Sequence, residues 1–253
     1  MDEQPHKLHT RPRSIYLLPN LFTTAGLFAG FYAIVAAMRG EYHIAAIAVF
    51  VAMVMDGVDG RVARLTNTQS DFGAQYDSLA DMVSFGLAPS LVVYQWSLQY
   101  FVSSGWMWGK VGWLAAFFYT AAAALRLARF NTQVGIADKR YFQGLASPAA
   151  AALLMGFVWA GNDMALAGDD LKYMALVLTL LSGGLMVSNI LYYSFKGIDL
   201  QHKVPFVGLW LVVLLFVFVS FDPPKLLFFL FLAYALSGPI MSLLRYRRRR
   251  MQQ

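Results

Sequence analysis

Apolar residues run along this chain in blocks too long for an ordinary soluble core and without the alternation of a sheet. Stretches such as "IAAIAVFVAMVM" and "VGLWLVVLLFVFVSF" carry no charge. Such runs are the pattern of helices that cross a bilayer with about 20 residues each. The pattern predicts eight helices, at about 15–38, 43–64, 73–100, 107–129, 146–166, 171–195, 204–221 and 225–246. Pro148 and Pro205 fall near helix starts, "DPP" at 222–224 separates the last two helices, and Pro239 lies inside the eighth and is expected to kink it. Gly26 and Gly30 form a GxxxG pair in the first helix, a spacing that suits close helix packing or the close approach of a ligand. The predicted fold class is all-α, a polytopic membrane helical bundle of about eight transmembrane helices.

Composition agrees with that pattern. Of 253 residues, 58% are hydrophobic and only 13% charged, with a mean hydropathy of +0.53. The absence of cysteine excludes disulfides, thiolate nucleophiles and zinc–cysteine sites. The polar N-terminus "MDEQPHKLHTRPRS" leads into an apolar helix with no A-x-A-like cleavage site, so a signal peptide is not expected. His6, His9, His43 and His202 are scattered without partner spacing, and Trp106, Trp108 and Trp113 near one helix end read as interface anchors.

The charge distribution sets the orientation. With both termini inside, sixteen of the 20 Lys and Arg residues fall on one side: the N-terminal tail, Arg61, Arg64, Arg126, Arg129, Lys139, Arg140, Lys196, Lys203 and the "RYRRRR" tail. Only Arg39, Lys110, Lys172 and Lys225 fall on the other. This positive-inside bias requires an even number of spans and predicts a multi-pass protein of the cell (inner) membrane with both termini cytoplasmic. The net charge of +6 is read as topogenic and as attraction to lipid headgroups; membrane lipids are expected partners and nucleic acid is not. No solenoid repeat or long linker interrupts the chain. The expected organisation is a cytoplasmic tail at 1–14, a membrane domain at 15–200, two additional transmembrane helices at 201–246 and a basic cytoplasmic tail at 247–253.

Against this apolar background, "MDGVDGRVARLTNTQSDFGAQYDSLAD" at 55–81 holds five aspartates. Asp56 and Asp59 are three residues apart and Asp77 and Asp81 four, so each pair shares one helix face. The short connection at 65–72 makes the two helices antiparallel neighbours, and the four carboxylates can meet near the cytoplasmic interface. Each charge costs at least about 2.5–3.5 kcal/mol to place at bilayer depth, and mutual repulsion adds to that. A positive partner has to offset it. Oxygen donors without nearby His or Cys point to a hard divalent cation, Mg²⁺ or Mn²⁺, and four carboxylates suit two such ions gripping phosphate oxygens. A proton or sodium relay in a cation-coupled transporter also uses intramembrane Asp and stays open at this point. Gly57 and Gly60 weaken a helix interior, so backbone or ligand is expected to come close there; Arg64, one turn beyond Gly60, could place a guanidinium against phosphate, which a relay does not need. Asp71 reads as ordinary helix-end solvation.

The spacing Asp56-x-x-Asp59-Gly60-x-x-Ala63-Arg64, eight residues to Gly73, then Asp77 and Asp81, resembles the DxxDGxxARx8GxxxDxxxD signature of the CDP-alcohol phosphatidyltransferases without a departure. The resemblance covers roughly the first six predicted helices, and implies a helical membrane bundle that is usually a homodimer. Three further stretches, "DSLADMVSFGLAPS" at 77–90, "ALRLARFN" at 124–131 and "FQGLASPAAA" at 142–151, are similar to the branch of the family that uses L-serine as the acceptor. The last carries Ala146 where GLPSPAA is more usual, which touches a turn and not the chemistry.

The resemblance implies that Asp56, Asp59 and Asp77 ligate two divalent cations, and that Asp81 is both a ligand and the general base. It places Gly60, Arg64 and Ser70, with Asn20 and Thr23 of "LPNLFT", on the nucleotide or phosphates of CDP-diacylglycerol. The implied reaction moves the phosphatidyl group from that donor to the serine hydroxyl and releases CMP; another alcohol acceptor, glycerol phosphate or inositol (or its phosphate), is the alternative within the family. Arg126 and Arg129 could bind the serine carboxylate, and Asn131 could add amide hydrogen bonds; topogenic and lipid-facing charge explains the same residues equally well. The last two helices show no polar constellation.

Overall fold

The connection between the first two helices shows how local sequence builds this bundle. Helix α1 (Leu17–Met38) ends where Gly40 takes a left-handed φ of +79°, its N–H meeting the Ala37 carbonyl and the Glu41 N–H reaching back to Ala36. This is a Schellman stop, and glycine carries it without steric penalty. Helix α2 (Tyr42–Leu65) returns antiparallel to α1. Ala29, Ala33, Ala36 and Ala37 of α1 and Ala45, Ala46, Val49 and Ala52 of α2 are all buried, and such small side chains let two backbones approach closely. The computed structural model describes residues 17–66, 68, 70–132, 141–193 and 220–250.

Ser70 opens the next helix, its Oγ accepting the Gly73 N–H at 3.0 Å as an N-cap. The single helix predicted over 73–100 is instead a rod of four parts: α3 (Asp71–Asp81), a π-helical turn (Met82–Leu87), α4 (Ala88–Trp96) and a 3-10 segment (Leu98–Ser104). Pro89 forces the change, because a proline ring collides with the carbonyl four residues earlier in a regular α-helix. Helix α5 (Trp106–Thr132) follows, with Trp106, Trp108 and Trp113 exposed near its start as expected of interface anchors.

Helix α6 (Ser147–Asp163) is buried along most of its length and serves as the central strut. Helix α7 (Lys172–Val187) stops eight residues before the predicted end at 195. The apolar run beyond it forms strand β2 (Leu191–Tyr193), antiparallel to β1 (Tyr141–Gln143), with Phe142 opposite Tyr192. A short apolar run fits helix or strand equally by periodicity, and pairing with β1 decides it here. The architecture remains all-α apart from this ribbon. Helix α8 (Pro223–Arg250) packs on α6 so closely that a Cβ on Gly156 would lie 2.9 Å from the Phe228 Cα; Pro239 lies inside α8.

Among the described residues, four segments are long and apolar enough to cross a membrane: Asn20–Met38, Tyr42–Leu65, Trp106–Thr132 and Pro223–Leu244. The tail at 1–14, the predicted seventh helix at 204–219, Pro205, and Lys139, Arg140, Lys196 and Lys203 lie outside the described residues. The charge asymmetry maps onto the two ends of the bundle. One end gathers the C-termini of α2, α5 and α7 with the N-termini of α1, α3 and α6, and bears Arg61, Arg64, Arg126 and Arg129. The other carries Arg39, Lys110, Lys172 and Lys225, and is tied together by Tyr42 Oη on the Gln95 carbonyl (3.0 Å), Ser97 Oγ on the Gly168 carbonyl (2.6 Å) and a Lys225–Asp163 ion pair (3.8 Å).

Candidate active site

The arginine-rich end of the bundle is where the aspartates meet. Asp56 and Asp59 lie on the last three turns of α2, and Asp77 and Asp81 on the second half of α3. One carboxylate oxygen from each of Asp56, Asp59 and Asp77 falls within 4.8 Å of the others. Asp81 stands one turn beyond Asp77 and lines the same cavity, together with Thr23, Gly26, Ala52, Ala80 and Ser84. The helix-face argument thus brings all four together, with three in the tightest group. Asp71 is exposed in the first turn of α3 and takes no part in that group.

Helix α1 supports both acid pairs. Thr23 Oγ1 donates to Asp59 Oδ2 at 2.8 Å, Thr24 and Tyr76 share a hydroxyl contact at 2.9 Å, and Ser84 Oγ donates to the Gly26 carbonyl at 3.1 Å. A Cβ on Gly30 would lie 2.5 Å from Ser84 Oγ, so this half of the GxxxG pair serves close packing against the π-turn.

The donor set consists of oxygens alone, crowded and half-buried, with Arg126 the cation that bears on Asp81. The cluster therefore fits a hard divalent cation, and Asp56, Asp59 and Asp77 could hold one.

The predicted donor-side residues form a rim around the acids. Asn20 and Ser70 come together at Gly73, where a Cβ would meet Ser70 Oγ at 3.1 Å and Asn20 Oδ1 at 3.6 Å. No atom of the described residues lies within 4 Å of a Cβ placed on Gly57 or Gly60, so packing among those residues does not explain them. Arg64 folds back along α2, its Nε donating to the Gly60 carbonyl at 2.8 Å.

On α5, Arg126 donates through Nη1 to Ser147 Oγ at 2.9 Å, while its buried Nε meets no hydrogen-bond partner among the described residues. Arg129 turns instead to the end of α7, reaching the Val187 and Ser188 carbonyls and Asn189 at 3.3–3.4 Å. Asn131 pairs with Ser78 on α3, its Nδ2 donating at 3.0 Å. Several neighbours escaped the sequence reading. Tyr119 and Tyr234 lie within electrostatic reach of Arg126, and Tyr234 is held by Tyr192, whose ring lies 5.6 Å away and whose hydroxyl donates to the Ala235 carbonyl at 2.9 Å. "SPAAA" placed Ser147 at a helix start, but nothing in it pointed to Arg126; Tyr192 and Tyr234 carried no local signal at all.

With this geometry in view, comparison with known proteins is decisive. The sequence model of the CDP-alcohol phosphatidyltransferase family matches residues 16–187. The chain belongs to that family. Among similar proteins, a CDP-diacylglycerol–serine O-phosphatidyltransferase of Helicobacter pylori (strain ATCC 700392 / 26695) is 38% identical over 210 residues, covering 83% of this chain and 84% of the relative. Enzymes of the same name from Methanocaldococcus jannaschii (36% identical, 59% of this chain and 63% of the relative) and Saccharomyces cerevisiae (36% identical, 52% of this chain and 50% of the relative) also match. As a phosphatidyltransferase-family enzyme, the chain carries its acid cluster inside the matched stretch, whereas α8 lies beyond it.

Proposed function

We propose that this enzyme transfers the phosphatidyl group of CDP-diacylglycerol to the hydroxyl of L-serine, giving phosphatidylserine and CMP. The observation that carries the proposal is the convergence of Asp56, Asp59 and Asp77 within 4.8 Å, with Asp81 on the same cavity, in a chain whose relatives bear the serine enzyme's name.

Asp56, Asp59, Asp77 and Asp81 would hold two divalent cations, Mg²⁺ or Mn²⁺. When bound, these supply charge neutralisation for the pyrophosphate and make CMP a tolerable leaving group. The residues of the chain do the rest. Asn20, Thr23, Gly60, Arg64 and Ser70 orient the nucleotide end of the donor, and open space over Gly60 lets its phosphates approach the α2 backbone. Arg126 receives the serine carboxylate, framed by Arg129 and Asn131, which are anchored to α7 and α3. Asp81, within electrostatic reach of Arg126, takes the hydroxyl proton as the serine oxygen bonds to the lipid-side phosphorus. The bond from that phosphorus to the CMP oxygen breaks, and CMP departs as a phosphate monoester.

The charge asymmetry between the two ends supports a multi-pass protein of the inner membrane with both termini and the site cytoplasmic. Water-soluble serine and CMP then exchange on one side while lipid tails stay in the leaflet. A homodimer is the assembly we propose, on the family resemblance. The segment 201–246 is, on this proposal, an addition to a phosphatidyltransferase domain at 15–200.

Purified protein given labelled CDP-diacylglycerol, Mg²⁺ or Mn²⁺ and a panel of alcohols tests the proposal. Release of CMP that requires both serine and metal, and stops on chelation, is expected. Equal or greater release with glycerol phosphate or inositol would move the acceptor assignment. No CMP with any alcohol, alongside ion-driven flux in vesicles, would refute the transferase reading.

A further inference from the structure

The rod that carries Asp77 and Asp81 is interrupted at the residue after Asp81. Within the π-turn Met82–Leu87 the Ala88 N–H bonds the Val83 carbonyl, five residues back instead of four. The turn thus holds one residue more than a regular helix would. At about 100° per residue, that extra residue rotates α3 by about 100° relative to α4. Helix α4 is fixed by the core, with Ala88, Pro89, Ser90, Val92, Val93 and Trp96 all buried. Closing the turn to regular helix would therefore swing Asp77 and Asp81 together away from Asp56 and Asp59.

Two features keep the turn open. Pro89 has no N–H, so the Phe85 carbonyl lacks the donor that a regular helix would supply from position 89. That carbonyl is instead taken by Tyr119 of α5, whose hydroxyl donates to it at 3.0 Å with the side chain fully buried. Among the described residues, Tyr119 makes no hydrogen bond to any of the four acids; its hydroxyl contact is with the backbone of the turn.

We propose that Tyr119 is a positioning residue for Asp77 and Asp81: by capping the Phe85 carbonyl it holds the π-turn open and keeps the second acid pair aimed at the first. The proposal rests on the reading of the acid cluster as a cation site. It makes cation affinity depend on a hydroxyl on another helix that ligates nothing.

The test is direct Mn²⁺ binding, followed by electron paramagnetic resonance on purified protein in lipid nanodiscs, alongside thermal unfolding and CMP release. Tyr119→Phe keeps the ring and removes the donor. It is expected to weaken Mn²⁺ binding roughly three- to tenfold, the scale of one buried hydrogen bond, and to lower turnover with it. Ser97→Ala, which removes a buried side-chain-to-carbonyl bond at the far end of the bundle, should cost stability while leaving Mn²⁺ binding as in wild type. Adding Pro89→Ala to Tyr119→Phe returns an N–H to the Phe85 carbonyl; it should recover thermal stability and leave Mn²⁺ binding weak, because the turn then closes. Wild-type Mn²⁺ affinity in Tyr119→Phe, or a loss no larger than that in Ser97→Ala, overturns the proposal alone. Wild-type protein that takes up no Mn²⁺ overturns the cation reading and the proposal with it.

Discussion

Thr23 on α1 donates its hydroxyl hydrogen to Asp59 on α2 at 2.8 Å, in a contact where the two residues are only 6% and 5% exposed. A hydrogen bond to a buried carboxylate contributes about 1.5–3 kcal/mol and fixes the orientation of the acid. Thr23→Val keeps the shape and removes the donor. Mn²⁺ binding should weaken roughly tenfold or more, with Thr23→Ser restoring most of it; unchanged binding in the valine variant would show that Asp59 is oriented by other groups.

Asp81 lines the acid cavity but lies outside the tight group of three. Asp81→Asn should therefore abolish serine-dependent CMP release while donor binding, measured by calorimetry in nanodiscs, stays close to wild type. Asp59→Asn should lower metal affinity as well as turnover. Full activity in Asp81→Asn would remove Asp81 from the role of base.

Arg126 has a buried Nε without a partner among the described residues and an Nη1 anchored by Ser147. Removing it should raise the KM for serine about tenfold or more and the KM for CDP-diacylglycerol far less, because a carboxylate loses its charge-assisted partner. An equal rise in both would sink the acceptor assignment. Tyr234→Phe, which alters the neighbour of Arg126 on α8, should shift the same serine KM in the same direction by a smaller factor.

Two substitutions in one short segment should act with opposite sign. Gly144 has a φ of +78°, and a Cβ there would come within 2.2 Å of the Met186 carbonyl oxygen. Gly144→Ala is expected to destabilise by about 1–3 kcal/mol and to lower the thermal midpoint. Ala146 has φ −61° and ψ 135°, the backbone proline itself prefers, so Ala146→Pro should raise stability by about 0.4–1 kcal/mol. A lower midpoint for Ala146→Pro would show that the departure from GLPSPAA changes the turn after all.

The four acids were legible in the sequence because helical spacing alone decides which face a side chain occupies, and both pairs obey it. The long apolar helices were legible for the same reason. The π-turn was not read, although Pro89 was its signal; proline near a helix middle says that something yields without saying which turn. The ribbon of β1 and β2 depends on a partner fifty residues away, which no local period reports. Arg129 could be placed at the right end of the bundle by charge counting, but its partners are backbone carbonyls of α7, a set that only tertiary packing reveals.

Helix α1 is fastened to α2 through Thr23 and to the α3 rod through Thr24 and Ser84, with Gly30 pressed against the latter. Helices α2 and α3 are thus both hung on α1, and neither keeps its place relative to the other once α1 shifts. The spacing between the acid pairs is thus governed by an uncharged helix that lies beside them. Heat or substitution that loosens α1 should dissolve the register of both pairs in one step, leaving no state in which half the site survives.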